Sequence, residues 1–130
     1  MFRNPLPQQI ASLLRAARII AIESRRGAGS AALRLPHHSP FVESILGQPA
    51  VSSLDQLPEV LGSEERVDLV DVFRRAEHIA GIVSDCIRLR LPALWLQEGV
   101  VDEAAATRAV QAGIFTVMDR CLFSERAALR

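Results

Sequence analysis

The chain has 130 residues, no net charge, 49% hydrophobic and only 5% aromatic residues, which suits one domain over 1–130 with a core of Leu, Ile, Val and Ala. Zero net charge argues against a nucleic-acid binder held by phosphate contacts. Two cysteines, Cys86 and Cys121, make neither a disulfide framework nor a zinc set, and no apolar run reaches membrane-spanning length.

The neutral total hides an asymmetry. The chain has no lysine, and residues 1–50 hold six arginines against two acids, the remainder nine against thirteen. Arginine suits planar, bidentate partners such as phosphate, although a solvated surface gives the same count. Met1-Phe2-Arg3-Asn4-Pro5 lacks the apolar stretch of a signal peptide. A cytoplasmic protein, with no membrane and no nucleic-acid partner, is the expectation by elimination.

Residues 7–18 read as a helix, because Ile10, Leu13, Leu14 and Ala17 form one apolar stripe. Residues 19–22 are a short buried strand, and 23–30 a polar loop. Leu33-Arg34-Leu35 alternates like a strand, bracketed by Pro36 and Pro40. Ser53 can cap a helix through Leu61, although Pro58 lies within it. From residue 66 the pattern sharpens: a strand over 67–72, a helix over 76–90, a strand over 93–96, a helix over 103–112, and a strand over 114–118. Asp102 caps the second of these helices and Gly113 closes it. Residues 124–129 suit one or two last helical turns. This alternation predicts βαβ units and a parallel sheet flanked by helices. Ligands of such sheets bind beyond the carboxyl ends of the strands. The segments that follow the strands are residues 23–30, Phe73-Arg74-Arg75, Gln97-Glu98-Gly99 and Asp119-Arg120-Cys121.

Three blocks carry a resemblance. Residues 67–78 (VDLVDVFRRAEH), 93–103 (ALWLQEGVVDE) and 117–121 (VMDRC) resemble, in order and spacing, the single-domain CoA-binding proteins. That family is similar in fold to the CoA-binding domain of the succinyl-CoA synthetase α subunit. The likeness covers roughly residues 45–125, with Ile45-Leu46-Gly47 and Ser52-Ser53-Leu54 resembling the family's segment between its second strand and third helix. It implies a Rossmann-like α/β fold and coenzyme A, or an acyl-CoA, as the ligand. The first quarter departs from the pattern. The family shows a strand ending in a Gly-containing turn, a full helix, then a strand ending in Asn-Pro; here the first strand ends in Glu23-Ser24-Arg25-Arg26. With Ser39-Pro40 in the place of Asn-Pro, the first crossover helix is shortened or missing.

The candidate cofactor-binding residues are Ser24, Arg25, Arg26, Phe73, Arg74, Arg75, Gln97 and Gly99. Arg25 and Arg26 can pair with phosphate in place of helix-terminal amides. Phe73 can pack on an adenine or belong to the core, and Arg74 and Arg75 can bind phosphate or face solvent. Gln97 and the Gly99 backbone can bond the amides of a pantetheine arm, with glycine permitting close approach. Asp119 and Arg120 either bind ligand or pair and cap the last helix. Trp95 and Cys86 read as core. Cys121 reads as inert rather than as a thiol that pairs with CoA. His37, His38 and His78 have no neighbours at metal-ligand spacing, and Gly27-Ala28-Gly29-Ser30 is not a phosphate-loop motif. No catalytic group is identifiable beside Glu98. The expectation is a CoA or acyl-CoA binding protein without catalysis of its own. The alternatives are a CoA-presenting module of a ligase-type complex, or an eroded interaction domain that no longer binds.

Overall fold

In a computed structural model of the chain, the structure describes residues 1–24, 30–34, 50–51, 54–59 and 61–129. Helix α1 (Pro7–Ala16) starts on a proline, and the Gln9 side chain accepts the Leu6 N–H ahead of it. Strands β1 (Ile19–Ser24), β2 (Ser30–Arg34) and β3 (Ala50–Val51) follow. A 3-10 helix (Leu54–Glu59) then leads to β4 (Leu69–Phe73), and a 3-10 turn (Ala76–His78) to α2 (Ile79–Arg88). The chain closes with β5 (Ala93–Leu96), α3 (Glu103–Gln111), β6 (Phe115–Met118) and α4 (Leu122–Ala127).

The strands form one sheet in the order β3-β2-β1-β4-β5-β6. β1, β4, β5 and β6 are parallel, and β2 and β3 extend them antiparallel. The fold is a Rossmann-like α/β sheet flanked by helices. Alternation along β4 sends Val70 and Val72 toward α2 and α3, where Ile79, Val83, Cys86, Ala106 and Ala109 pack. Leu69 faces the other way, toward Ile10, Leu14, Trp95 and Leu122 under α1 and α4. Asp102 Oδ1 accepts the Ala105 N–H at 3.0 Å to cap α3, and Gly113 follows it at φ +88°. Asp68 Oδ2 accepts the Arg18 and Ile19 N–H groups at 2.8 and 3.0 Å, while its own N–H bonds Ile19 O, which sets β1 against β4. No helix among the described residues is long and apolar enough to cross a membrane.

Several expectations change in detail. The second strand is antiparallel to β1, with Ile19 opposite Arg34 and Glu23 opposite Ser30. Antiparallel neighbours need no crossover, which only parallel ones require. Leu54–Glu59 is a 3-10 helix, with Pro58 inside it; a proline lacks the N–H for a helical bond. Ser53, Ser39 and Pro40, like residues 45–47, lie outside the described residues. The helix expected over 76–90 begins as 3-10 and becomes α-helical at Ile79. The last helix starts at Leu122 rather than Ser124.

At the β6 edge, the Asn4 side chain stands in for a neighbouring strand. Its Oδ1 accepts Met118 N–H at 2.8 Å and its Nδ2 donates to Met118 O at 2.9 Å. Asn4→Ala strips both bonds from part-buried backbone groups, and should cost about 1–3 kcal/mol at ~1 kcal/mol per bond plus exposure. The urea midpoint checks this; an unchanged midpoint would show that residues 1–6 do not hold the edge.

Candidate functional site

Parallel pairing makes the chain leave β1, β4, β5 and β6 at one edge of the sheet, and the residues there come from four separate stretches of sequence. Ser24 ends β1 and is the register partner of Phe73. Arg25 and Arg26, which follow it, lie outside the described residues. Phe73 is half-buried and stacks on Phe123 of α4, with ring centroids 6.0 Å apart and planes inclined by 17°. This puts its ring against the protein's own aromatic residue.

The two arginines that follow differ in setting. Arg74 is mostly buried and its Nη1 lies 4.0 Å from Oε2 of the buried Glu23, while its Nε is sealed from solvent without a partner. The side chain of Arg75 is 66% exposed and 4.0 Å from the equally exposed Glu77, a pairing worth little in water. Phosphate binding would find Arg75 available and would have to compete with Glu23 for Arg74.

Beyond β5, Gln97 is buried, and its Nε2 donates to Asp71 Oδ1 at 2.6 Å. Asp71 is in the middle of β4 and wholly buried, and its Oδ2 has no hydrogen-bond partner. Burial pushes its carboxyl up to about 7, with the Gln97 hydrogen bond opposing the shift. Gly99 has φ +85°, with open space where a Cβ would stand. Its N–H donates to Asp119 Oδ1 at 2.7 Å. Asp119, itself at φ +61°, therefore holds the turn after β5 to the turn after β6. A cavity of about 440 Å³ opens here, lined by Asn4, Glu98, Met118, Asp119, Arg120, Cys121, Ser124 and Glu125. Three carboxylates and one guanidinium among these make it a poor receptor for phosphate and a suitable one for an uncharged polar chain.

The structure thus brings Ser24, Phe73, Arg74, Arg75, Gln97 and Gly99 to a single edge. Trp95 is fully buried and donates Nε1–H to Arg120 O at 2.8 Å, which ties β5 to the loop after β6. Cys86 is buried, and its thiol is pushed up to about 12 by burial, with Glu23 and Asp85 adding to it. Cys121 is partly exposed, at the start of α4. His78 is exposed, 3.8 Å from Glu77, and His37 and His38 are outside the described residues. No three His, Cys, Asp or Glu among the described residues are grouped to hold a metal ion. Sequence reasoning missed Asp71. Its signal was available: it is the one charged side chain in an otherwise apolar strand, Leu69–Phe73.

The comparisons with known proteins agree with this layout. A family model described as CoA binding domain matches residues 32–127. The chain is 32% identical over 84 residues to an uncharacterised protein, YneT, of Bacillus subtilis (strain 168), a match covering 65% of this chain and 58% of that protein's length. Among solved structures it is similar to a hypothetical protein from Pyrococcus horikoshii OT3, with a TM-score of 0.69 at 18% identity over 99% of this chain and 97% of that one. It is also similar to a Thermus thermophilus protein solved as cell-free ID.343, with a TM-score of 0.67 at 26% identity over 93% and 96% of the two chains.

The buried carboxyl makes a prediction about pH. Below about pH 4, Asp71 is protonated whether the chain is folded or not. As pH rises toward 7 the unfolded chain releases this proton and the folded one keeps it, so stability falls across that window. Above about 7 both forms are ionised and the loss is complete, amounting to a few kcal/mol at about 1.4 kcal/mol per pH unit. Asp71→Asn removes the titration. Its stability relative to wild type, from urea unfolding, should rise between pH 4.5 and 7.5; parallel curves would contradict the burial argument.

Proposed function

Since the chain belongs to the CoA binding domain family, we propose that it binds coenzyme A or an acyl-CoA along the carboxyl edge of β1, β4, β5 and β6. The observation that carries the reading is the convergence there of Phe73-Arg74-Arg75 with Gln97-Glu98-Gly99, beside the cavity at the end of β6. Charge orients the ligand. The phosphates belong at the β1 and β4 ends, with Arg74, Arg75 and, next to Ser24 in sequence, Arg25 and Arg26 as partners. The pantetheine arm crosses Gln97 and Gly99, and the thiol end reaches the acid-lined cavity near Cys121. The protein holds its ligand without transforming it, and acts in the cytoplasm, in keeping with two free cysteines. The non-binding alternative draws on the engagement of Gly99 N–H by Asp119 and of Gln97 by Asp71.

Calorimetric titration decides between them. CoA should bind with micromolar-class affinity, about −8 kcal/mol, whereas no heat and no thermal shift at millimolar ligand would leave the non-binding reading. A long incubation with acetyl-CoA should return it unhydrolysed. Arg74→Ala and Arg75→Ala should each weaken CoA by about 1.5–3 kcal/mol, the range for a charge-assisted hydrogen bond. Arg75→Ala should leave the Tm of the free protein unmoved, because that side chain is mostly in water. Unchanged affinity in both would assign the phosphates elsewhere.

A further inference from the structure

Gln97 has two faces, and the protein uses only one. Its Nε2 is given to Asp71 Oδ1, while its Oε1 has no hydrogen bond among the described residues and is not sealed from solvent. A free carboxamide turns over readily, presenting either a donor or an acceptor. This one is held by a short bond, 2.6 Å, to a carboxyl in the middle of a covered strand. The hold is strict in the carboxylate, whose two oxygens only accept, so that Gln97 must offer its Nε2; the neutral acid can also donate, and then either end of the carboxamide can be bound. Trp95 and Leu96 are fully buried just before Gln97, and its backbone N–H bonds Val72 O at 3.2 Å, so the residue's base is fixed as well.

We infer that Asp71 is a positioning residue, which locks the Gln97 carboxamide with its acceptor oxygen toward the ligand edge and so selects a ligand arm that presents an amide N–H. The inference rests on the CoA reading, in which that arm is pantetheine. It supplies a purpose for a carboxyl that is buried at a cost and leaves Oδ2 unsatisfied. An apolar residue would serve the core better if packing were its only task. The lock favours an amide over an ester or ether at the same place, because an amide alone offers the proton that Oε1 accepts.

The test compares two ligands by calorimetry at about pH 8.5, where Asp71 is ionised: CoA, and the nucleotide half of CoA without the pantetheine arm. Asp71→Asn keeps the shape of residue 71 but can bond either end of Gln97, so the lock is lost. It should bind CoA about fivefold to tenfold more weakly, the effect of one net hydrogen bond, and bind the nucleotide half as wild type does. Asp71→Leu, which offers Gln97 nothing, should give the same selective loss, and covers the case in which the asparagine variant does not fold. Gln97→Met should reproduce that loss, and adding Asp71→Asn to it should cost nothing more. Equal losses for both ligands would show a merely structural role and overturn the inference, as would wild-type affinity for CoA in the Asp71 variants. If wild type itself bound neither ligand, the CoA reading would fall first and the positioning role with it.

Discussion

Burial on both faces governs the parallel strands of this molecule. α1 and α4 cover one side of the β1, β4, β5 and β6 block, and α2 and α3 cover the other. A strand so enclosed is mostly apolar along its length and is most readily polar where it leaves the sheet. Val70, Val72, Leu94, Leu96 and Val117 follow that rule, and the arginines, acids and glycines gather after the strands. Chemistry is therefore expelled to the edge by the same packing that stabilises the centre. Where a polar group stays inside it must be paired, as Asp71 is with Gln97 near the edge.

The borders of the sheet are handled by other means. β2 and β3 continue it past β1 as an antiparallel extension, an arrangement that requires no helical crossover. At the opposite border Asn4 supplies the missing strand's hydrogen bonds to Met118. Asp68 joins the starts of β1 and β4 from the far end, so the two strands whose ends carry Glu23 and Arg74 are held in register along their whole length. Asp119 does the same at the carboxyl edge, bridging the turns after β5 and β6.

The second half of the fold was legible in the sequence because each signal there is local. The Asp102 cap, the Gly113 stop and the strand over 93–96 each depend on residues within a few positions, and the structure has all three where the pattern puts them. The direction of β2 was not legible. Alternation at Leu33-Arg34 marks an extended chain, but not which neighbour it joins or in which sense; the pairing with β1 supplies both. The site was read by segment and not by bond. Phe73, Gln97 and Gly99 do lie at the edge, but Phe123, Asp71 and Asp119 are 50, 26 and 20 residues away from them in turn, and those pairings follow only from tertiary packing. Asp71 escaped notice because an acid within a strand reads as a solvent-facing residue unless both faces are known to be covered.

The central claim is that one edge of the sheet receives CoA and the other does not. Backbone amide shifts of the labelled protein, followed by NMR during a CoA titration, test it most directly. The account predicts that the shifted amides cluster at residues 23–24, 73–75, 97–99 and 119–121. Those at the opposite edge, where Leu54, Leu57, Leu61, Val67, Leu89 and Leu91 line a separate apolar cavity of about 350 Å³, should stay in place. Shifts concentrated around that apolar cavity, or none at saturating CoA, would contradict it.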